Sequence, residues 1–167
     1  LERLVQIIEM TQASMVYADH YQQMDSVQKP APVIDYQFGS LRDDFNFGSV
    51  LLFNANVFKE VIENTEEEYQ YAGLYDLRLK ISQKSKLVHI NEYLYTEVES
   101  DKRKSGEKQF DYVDPKNRQV QIEMEQACTN HLKEIGGYLY PIFRPVDFSS
   151  HTFEYEASVI IPVRNRI

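Results

Sequence analysis

Three short stretches carry the residues able to do polar chemistry. "VYADHY" sets Asp19 beside His20 and Tyr21, "SLRDDFNFG" sets Arg42 against the adjacent acids Asp43 and Asp44, and "AGLYDLRLK" carries Asp76. Two neighbouring carboxylates can be driven apart in pKa so that one serves as a general base, although adjacent acids in a turn are more often simply solvated. Arg42, next to them, most simply pairs with Asp43. His20 can offer a nitrogen to a metal, a solvated loop histidine being the commoner case. His89 falls in a strand pattern and His131 on the apolar stripe of a helix, so both read as hydrogen-bonded packing residues. Cys128 shares that stripe and is assigned to packing.

The elements that must position these residues follow from periodicity. Leu4, Ile7 and Ile8 recur at helical spacing, and "ASMVYAD" then switches to a short strand ending at Asp19. Residues 23 to 37, with Pro30 and Pro32, read as a loop. "FNFGSVLLF" alternates in aromatic residues before a helix that Asn54 can cap, and Glu66, Glu67 and Glu68 end or follow it. "GLYDLRLKISQKS" fits a second helix with Leu74, Leu77 and Ile81 inward, and "LVHINEYLYTEV" one strand or two short ones. Residues 98 to 113 are charged and weakly patterned. Asp114 as cap and Pro115 at the first helical position open a helix of about six turns. Its stripe is Val120, Met124, Ala127, Cys128, His131, Leu132 and Ile135, and Gly136-Gly137 stop it. "YLYPIFRPVDF" reads as extended chain.

Composition bounds the function. With 167 residues the chain can form one ordinary core or a core with an appendage. A formal net charge of −8 and an isoelectric point near 5.0 argue against general binding to nucleic acid or anionic membranes. No apolar run approaches membrane-spanning length, and the single cysteine excludes an internal disulfide. The first residues, "LERLVQIIEM", lack an initiator Met and any signal-peptide pattern, so an excised piece is expected.

The last stretch, "SVIIPVRNR", resembles the opening strand and loop of family 2 glycosyltransferases, inverting enzymes of the GT-A nucleotide-diphospho-sugar fold. "LERLVQIIEMTQASMVYADHY" is similar to the middle of such a domain, where a strand presents an Asp-x-Asp metal site. "DYQFGSLRDDFNFGSVLLFNANVFKEV" is similar to the acceptor-side hairpin with the helix after it, and "YAGLYDLRLKIS" with "KLVHINEYLYTEVESD" to the late helix and the strand behind it. The resemblance implies an α/β class, α+β within this piece. Residues 1-97 would be the C-terminal half of one GT-A-like domain, 98-155 a connector with a long amphipathic helix at about 114-136, and 156-167 the first strand of a second domain.

It further implies a nucleotide-sugar donor, a carbohydrate acceptor, a divalent cation (Mg²⁺ or Mn²⁺) on Asp19 with His20 as a neighbouring ligand, and Arg42 as a clamp for a diphosphate. The expected partners include neither nucleic acid nor a transmembrane segment, and a homodimer by strand exchange or helix packing is open. The implied location is cytoplasmic, at most peripheral to the inner membrane face. The sequence departs from the family pattern at Tyr21, where a second acid is usual, and at Gly73 and Leu74, where the catalytic acidic pair would stand. Catalysis by Asp43 or Asp44 from the hairpin is one way out. A domain without activity, acting as scaffold or dimerisation module for an adjacent transferase, is the other. The piece alone is expected to be inactive, and its apolar tail, Ser158 to Val163, to join the sheet as a strand.

Overall fold

The computed structural model describes residues 1–24, 26–98 and 117–145, with 147, 149, 157, 159 and 160. The order is α1 (Glu2–Thr11), β1 (Met15–Met24), β2 (Val27–Ala31), β3 (Leu52–Phe53), α2 (Ala55–Glu63), α3 (Gly73–Ser82), β4 (Leu87–Val98) and α4 (Arg118–Glu134). Helices lie on a mixed open sheet, an α+β arrangement.

β1 is the axis. Its residues Met15 to Gln23 pair in parallel with β4 along one edge, while β3 and β2 pair antiparallel with the two ends of its other edge. Every residue from Met15 to His20 is buried, and the period-two alternation divides them between two cores. Met15 and Tyr17 pack with Val61 of α2 and Ile81 of α3, whereas Val16 and Ala18 pack with Leu4 of α1 and Ile90 of β4. A third cluster, Ala72, Tyr75, Leu79 and Ala127, joins α3 to α4.

Tyr17 fastens the long segment between β2 and β3 to this sheet. Its hydroxyl donates to the Ile34 carbonyl (2.8 Å) and accepts from the Tyr36 amide (2.7 Å), while its ring meets Phe47 edge-on at 4.9 Å. Burial pushes the phenol up to about 12, so it stays a donor throughout the working pH range. Gly48 follows with φ 74°, and a Cβ there would overlap the Tyr95 hydroxyl.

Several elements differ from the sequence-based expectation. β1 continues past Asp19 to Met24, and residues 27–31, expected as loop, form β2. Pro30 is accommodated opposite Tyr21 because β2 is an outer strand, where a missing N–H leaves no ladder bond unmade. α2 starts where predicted, the Asn54 side chain accepting from the Asn56 and Val57 amides. In α3, Ile81 is buried and Leu77 packs against the core as expected, but the buried face is wider than expected and leaves out Leu74. Leu74 is 62% exposed, and Tyr75, Asp76, Arg78, Leu79 and Ile81 are buried, because α4 covers a second side of the helix.

α4 is described from Arg118 and spans 17 residues, just under five turns. Asp114 and Pro115 lie outside the described residues, as does the charged stretch 99–116. Ala127 and His131 of the expected stripe are buried, with Met124 and Cys128 packed against the α3 cluster. In the tail, Val159 and Ile160 are outside any strand and more than four-fifths exposed, against the expectation that this run joins the sheet. Among the described residues no strand pairs with them to supply the backbone partners that a β-branched run needs to become a strand.

Tyr17→Phe removes both hydroxyl hydrogen bonds and leaves two backbone groups beneath the loop without partners. A loss of about 1–3 kcal/mol in unfolding free energy is expected from chemical denaturation. An unchanged midpoint would show that the loop is held by its apolar contacts alone.

Candidate functional site

The predicted site residues fall into separate places. Asp19 sits inside β1 at a double irregularity, where the pairing with β4 jumps from Ala18↔Ile90 to Asp19↔Tyr93 and His20↔Tyr95. The extra β4 residues bend that strand and let His89 reach across to Asp19. His89 Nε2 lies 2.9 Å from Asp19 Oδ1 and its Nδ1 2.8 Å from Asp35 Oδ1, so a buried imidazole bridges a buried and an exposed carboxylate. The ring also stacks on Tyr17 at 5.0 Å. Asp19 Oδ1 accepts the Val33 amide as well, at 2.8 Å. One carboxylate oxygen thus ties β1, β4 and the loop after β2 together.

His20, expected on a solvated loop, is buried in β1 and stacks on Tyr95 at 5.2 Å. Its Nε2 is 3.5 Å from Glu97 Oε2, the oxygen that also accepts the Ser49 hydroxyl at 2.5 Å. The Ser49 amide donates to the Tyr95 hydroxyl at 2.8 Å. This group fastens the residues around Gly48 to the end of β4, and it stands apart from the Asp19 group.

Arg42 pairs with Asp44, not with Asp43. Its Nε and Nη2 meet the two Asp44 oxygens at 2.8 and 2.7 Å, a two-pronged contact that holds Asp44 below the usual carboxylate range. A carboxylate so occupied is a poor proton acceptor. Asp43 is left over, and it lines a cavity of about 250 Å³ between the loop, α3 and α4.

That cavity is the best-formed concave site among the described residues. Its floor is Met15, Phe47, Tyr75 and Arg78, all buried, and its rim carries Asp43, Tyr71 and Leu74, which are exposed. The volume lies just under the usual range for drug-sized ligands, about 300–1,000 Å³, so it suits a single small ring.

Arg78 is held by its Nη2 donating to the Arg42 carbonyl (2.8 Å) and lies near the rings of Tyr75, Phe47 and Tyr36 at 4.8, 5.6 and 5.8 Å. Burial pulls its pKa down, the neighbouring tyrosines and Asp43 opposing the change. α4 lines one side through Met124 and anchors the segment at the rim. Glu123 Oε2 accepts the Tyr71 and Ala72 amides at 2.7 and 3.1 Å, occupying backbone donors at the start of α3. These backbone bonds, first among several, hold Glu123 below its ordinary value.

The sequence missed Arg78, Tyr75, Tyr71 and Glu123 as parts of a site. The i, i+3 spacing of Tyr75 and Arg78 on one helix was a signal that could have marked the first two. Nothing local could have paired Glu123 with residues some fifty positions earlier. Asp76 bonds Lys80 at 2.8 Å, and Lys80 also meets Glu67 at 2.9 Å, so this acid supports α3. His131 is buried beside Gln83, whose Nε2 is 3.0 Å from its Nδ1, again a packing role.

Among the described residues there is no group of three His, Cys, Asp or Glu side chains placed to hold a metal ion. Asp19 has only one oxygen outside its brace, and His89 and Val33 take the other. This donor set does not form a cation cage. No helix among the described residues is long and apolar enough to cross a membrane. Compared with known protein families, curated proteins and solved structures, the chain gives no match.

Asp19→Ala leaves His89 Nε2 and the Val33 amide unpartnered. An unfolding free energy lower by about 2–4 kcal/mol is expected, since hydrogen bonds to a charged group are worth about 1.5–3 kcal/mol each. A fully stable variant would make Asp19 dispensable to the fold. Burial also holds the His131 imidazole below its ordinary value. The unfolded chain therefore takes up that proton first as pH falls through about 6.5, and stability drops between pH 7 and 5. The thermal midpoint should follow that fall, and His131→Asn should flatten it.

Proposed function

We propose that the chain is the acceptor-side half of a family 2 glycosyltransferase, transferring a sugar from a nucleotide-diphospho-sugar to a glycan or other carbohydrate acceptor. One observation carries the reading: an aromatic-floored cavity of single-ring size with an uncommitted carboxylate, Asp43, on its rim. A pyranose has an apolar C–H face and a hydroxyl edge. Flat aromatic walls cover the first, and a carboxylate accepts from the second.

In this reading Asp43 takes the proton from the attacking acceptor hydroxyl, the part that Gly73 and Leu74 leave unfilled at the start of α3. General-base assistance of this kind contributes about 10²–10⁴ in rate. Arg42 and Asp44 fix the turn that aims Asp43. A divalent cation enters the reading only as one carried by the donor's diphosphate, and no step above runs through it.

A second reading, a catalytically degenerate scaffold supporting an adjacent transferase, is favoured by the closed brace around Asp19 and by Gly73 and Leu74 themselves. The two readings part at the cavity, which a scaffold does not need to fill.

Saturation-transfer NMR of the chain with methyl pyranosides should show transfer from the aromatic floor. Asp43→Asn should weaken binding about tenfold, the equivalent of one lost charge-assisted hydrogen bond of about 1.4 kcal/mol. Absence of transfer to every pyranoside would remove the transferase reading and leave the scaffold.

A further inference from the structure

Resting on the reading of the cavity as a sugar site, we infer that its ligand is an acidic sugar, a hexuronate whose exocyclic carboxylate lies against Arg78 while a ring hydroxyl meets Asp43. The inference comes from how charge is distributed between floor and rim.

Arg78 is 7% exposed, at the closed end of the cavity. Among the described residues no carboxylate pairs with it within 4 Å. The positively charged groups around it form ion pairs elsewhere: Lys80 with Asp76 and Glu67, and Arg42 with Asp44. Its own contacts are the Arg42 carbonyl, a longer one to the Ser40 carbonyl at 3.4 Å, and three aromatic faces. Carbonyl dipoles and ring quadrupoles lessen the cost of burying a cation but do not cancel its charge. A guanidinium has five N–H donors in a flat fork that fits a carboxylate edge, and the two carbonyls use two of them.

The nearest acid opening on the same space is Asp43, at the exposed rim. Its charge favours the charged form of Arg78 without a contact between the two. A ligand filling the gap must therefore present an acceptor to the floor and a donor to the rim, across an apolar middle walled by Phe45, Phe47 and Tyr75. A neutral sugar supplies the rim donor and the apolar face but leaves the buried charge uncompensated. A uronate supplies all three.

The test titrates the chain with methyl β-D-glucuronide and methyl β-D-glucoside, by calorimetry or NMR at low salt. The uronide is expected to bind at least tenfold tighter, and Arg78→Gln to abolish the preference. Because Arg78 also ties the 40–42 turn, a second arm leaves it in place. Asp43→Asn removes the one negative charge facing the ligand, so it should weaken the glucoside more than the uronide and widen their ratio several-fold. Equal affinities, or a ratio untouched by Asp43→Asn, would overturn the acidic-sugar assignment while the sugar site stood. Binding of neither glycoside would overturn the sugar site and this inference together.

Discussion

The structure hangs on the way β1 is fastened to the loop that crosses its face. Tyr17 and Asp19, two residues apart and therefore on the same side of the strand, each take hold of that loop through backbone groups: Ile34 and Tyr36 for the phenol, Val33 for the carboxylate. His89 fills the space between them, stacked on one and bonded to the other. A twenty-residue connection without regular structure would ordinarily be loose. Here its start is fixed at three closely spaced points, Val33, Ile34 and Tyr36, and its later aromatic residues, Phe45 and Phe47, are carried onto the core as a consequence.

What the site offers follows from that fastening. Phe47 reaches the cavity floor because its segment is held down, and Asp43 reaches the rim because the Arg42–Asp44 pair closes the turn that carries it. Arg78 completes the arrangement from α3 by bonding the backbone of the same turn. The three acids therefore have separate tasks. Asp44 is spent on geometry and Asp19 on the fold, which leaves Asp43 available.

The sequence made some of this legible. The Asn54 cap, the apolar stripe of α4 and the strand nature of "SMVYAD" are local signals, and local periodicity or side-chain-to-backbone bonding suffices to read them. Asp43 and Asp44 were visible as a pair, but not which one would be free, because that depends on the direction taken by a flexible arginine. β2 was hidden by Pro30, whose usual meaning is reversed on an outer strand. In α3 Leu77 and Ile81 were read correctly, but Leu74 obeys the apolar pattern yet stands at the edge of a cavity, while Arg78 violates it and is buried. His89 reads as an ordinary strand histidine until the irregularity in β4 brings it to Asp19.

Glu123 gives the cavity a dependence that its lining does not reveal. The carboxylate accepts the backbone donors of Tyr71 and Ala72, and Met124, next to it on α4, closes one wall of the space. Docking of α4 and completion of the cavity are thus one event. Thermodynamic linkage then applies: a ligand that binds only the closed arrangement stabilises the docked helix by RT ln(1 + [L]/Kd), about 2.7 kcal/mol at a hundredfold excess over Kd. Sequence far downstream of the binding residues, by its hold on one helix, thereby acts as a rheostat for occupancy, and occupancy in turn sets how firmly that distant part of the chain is held.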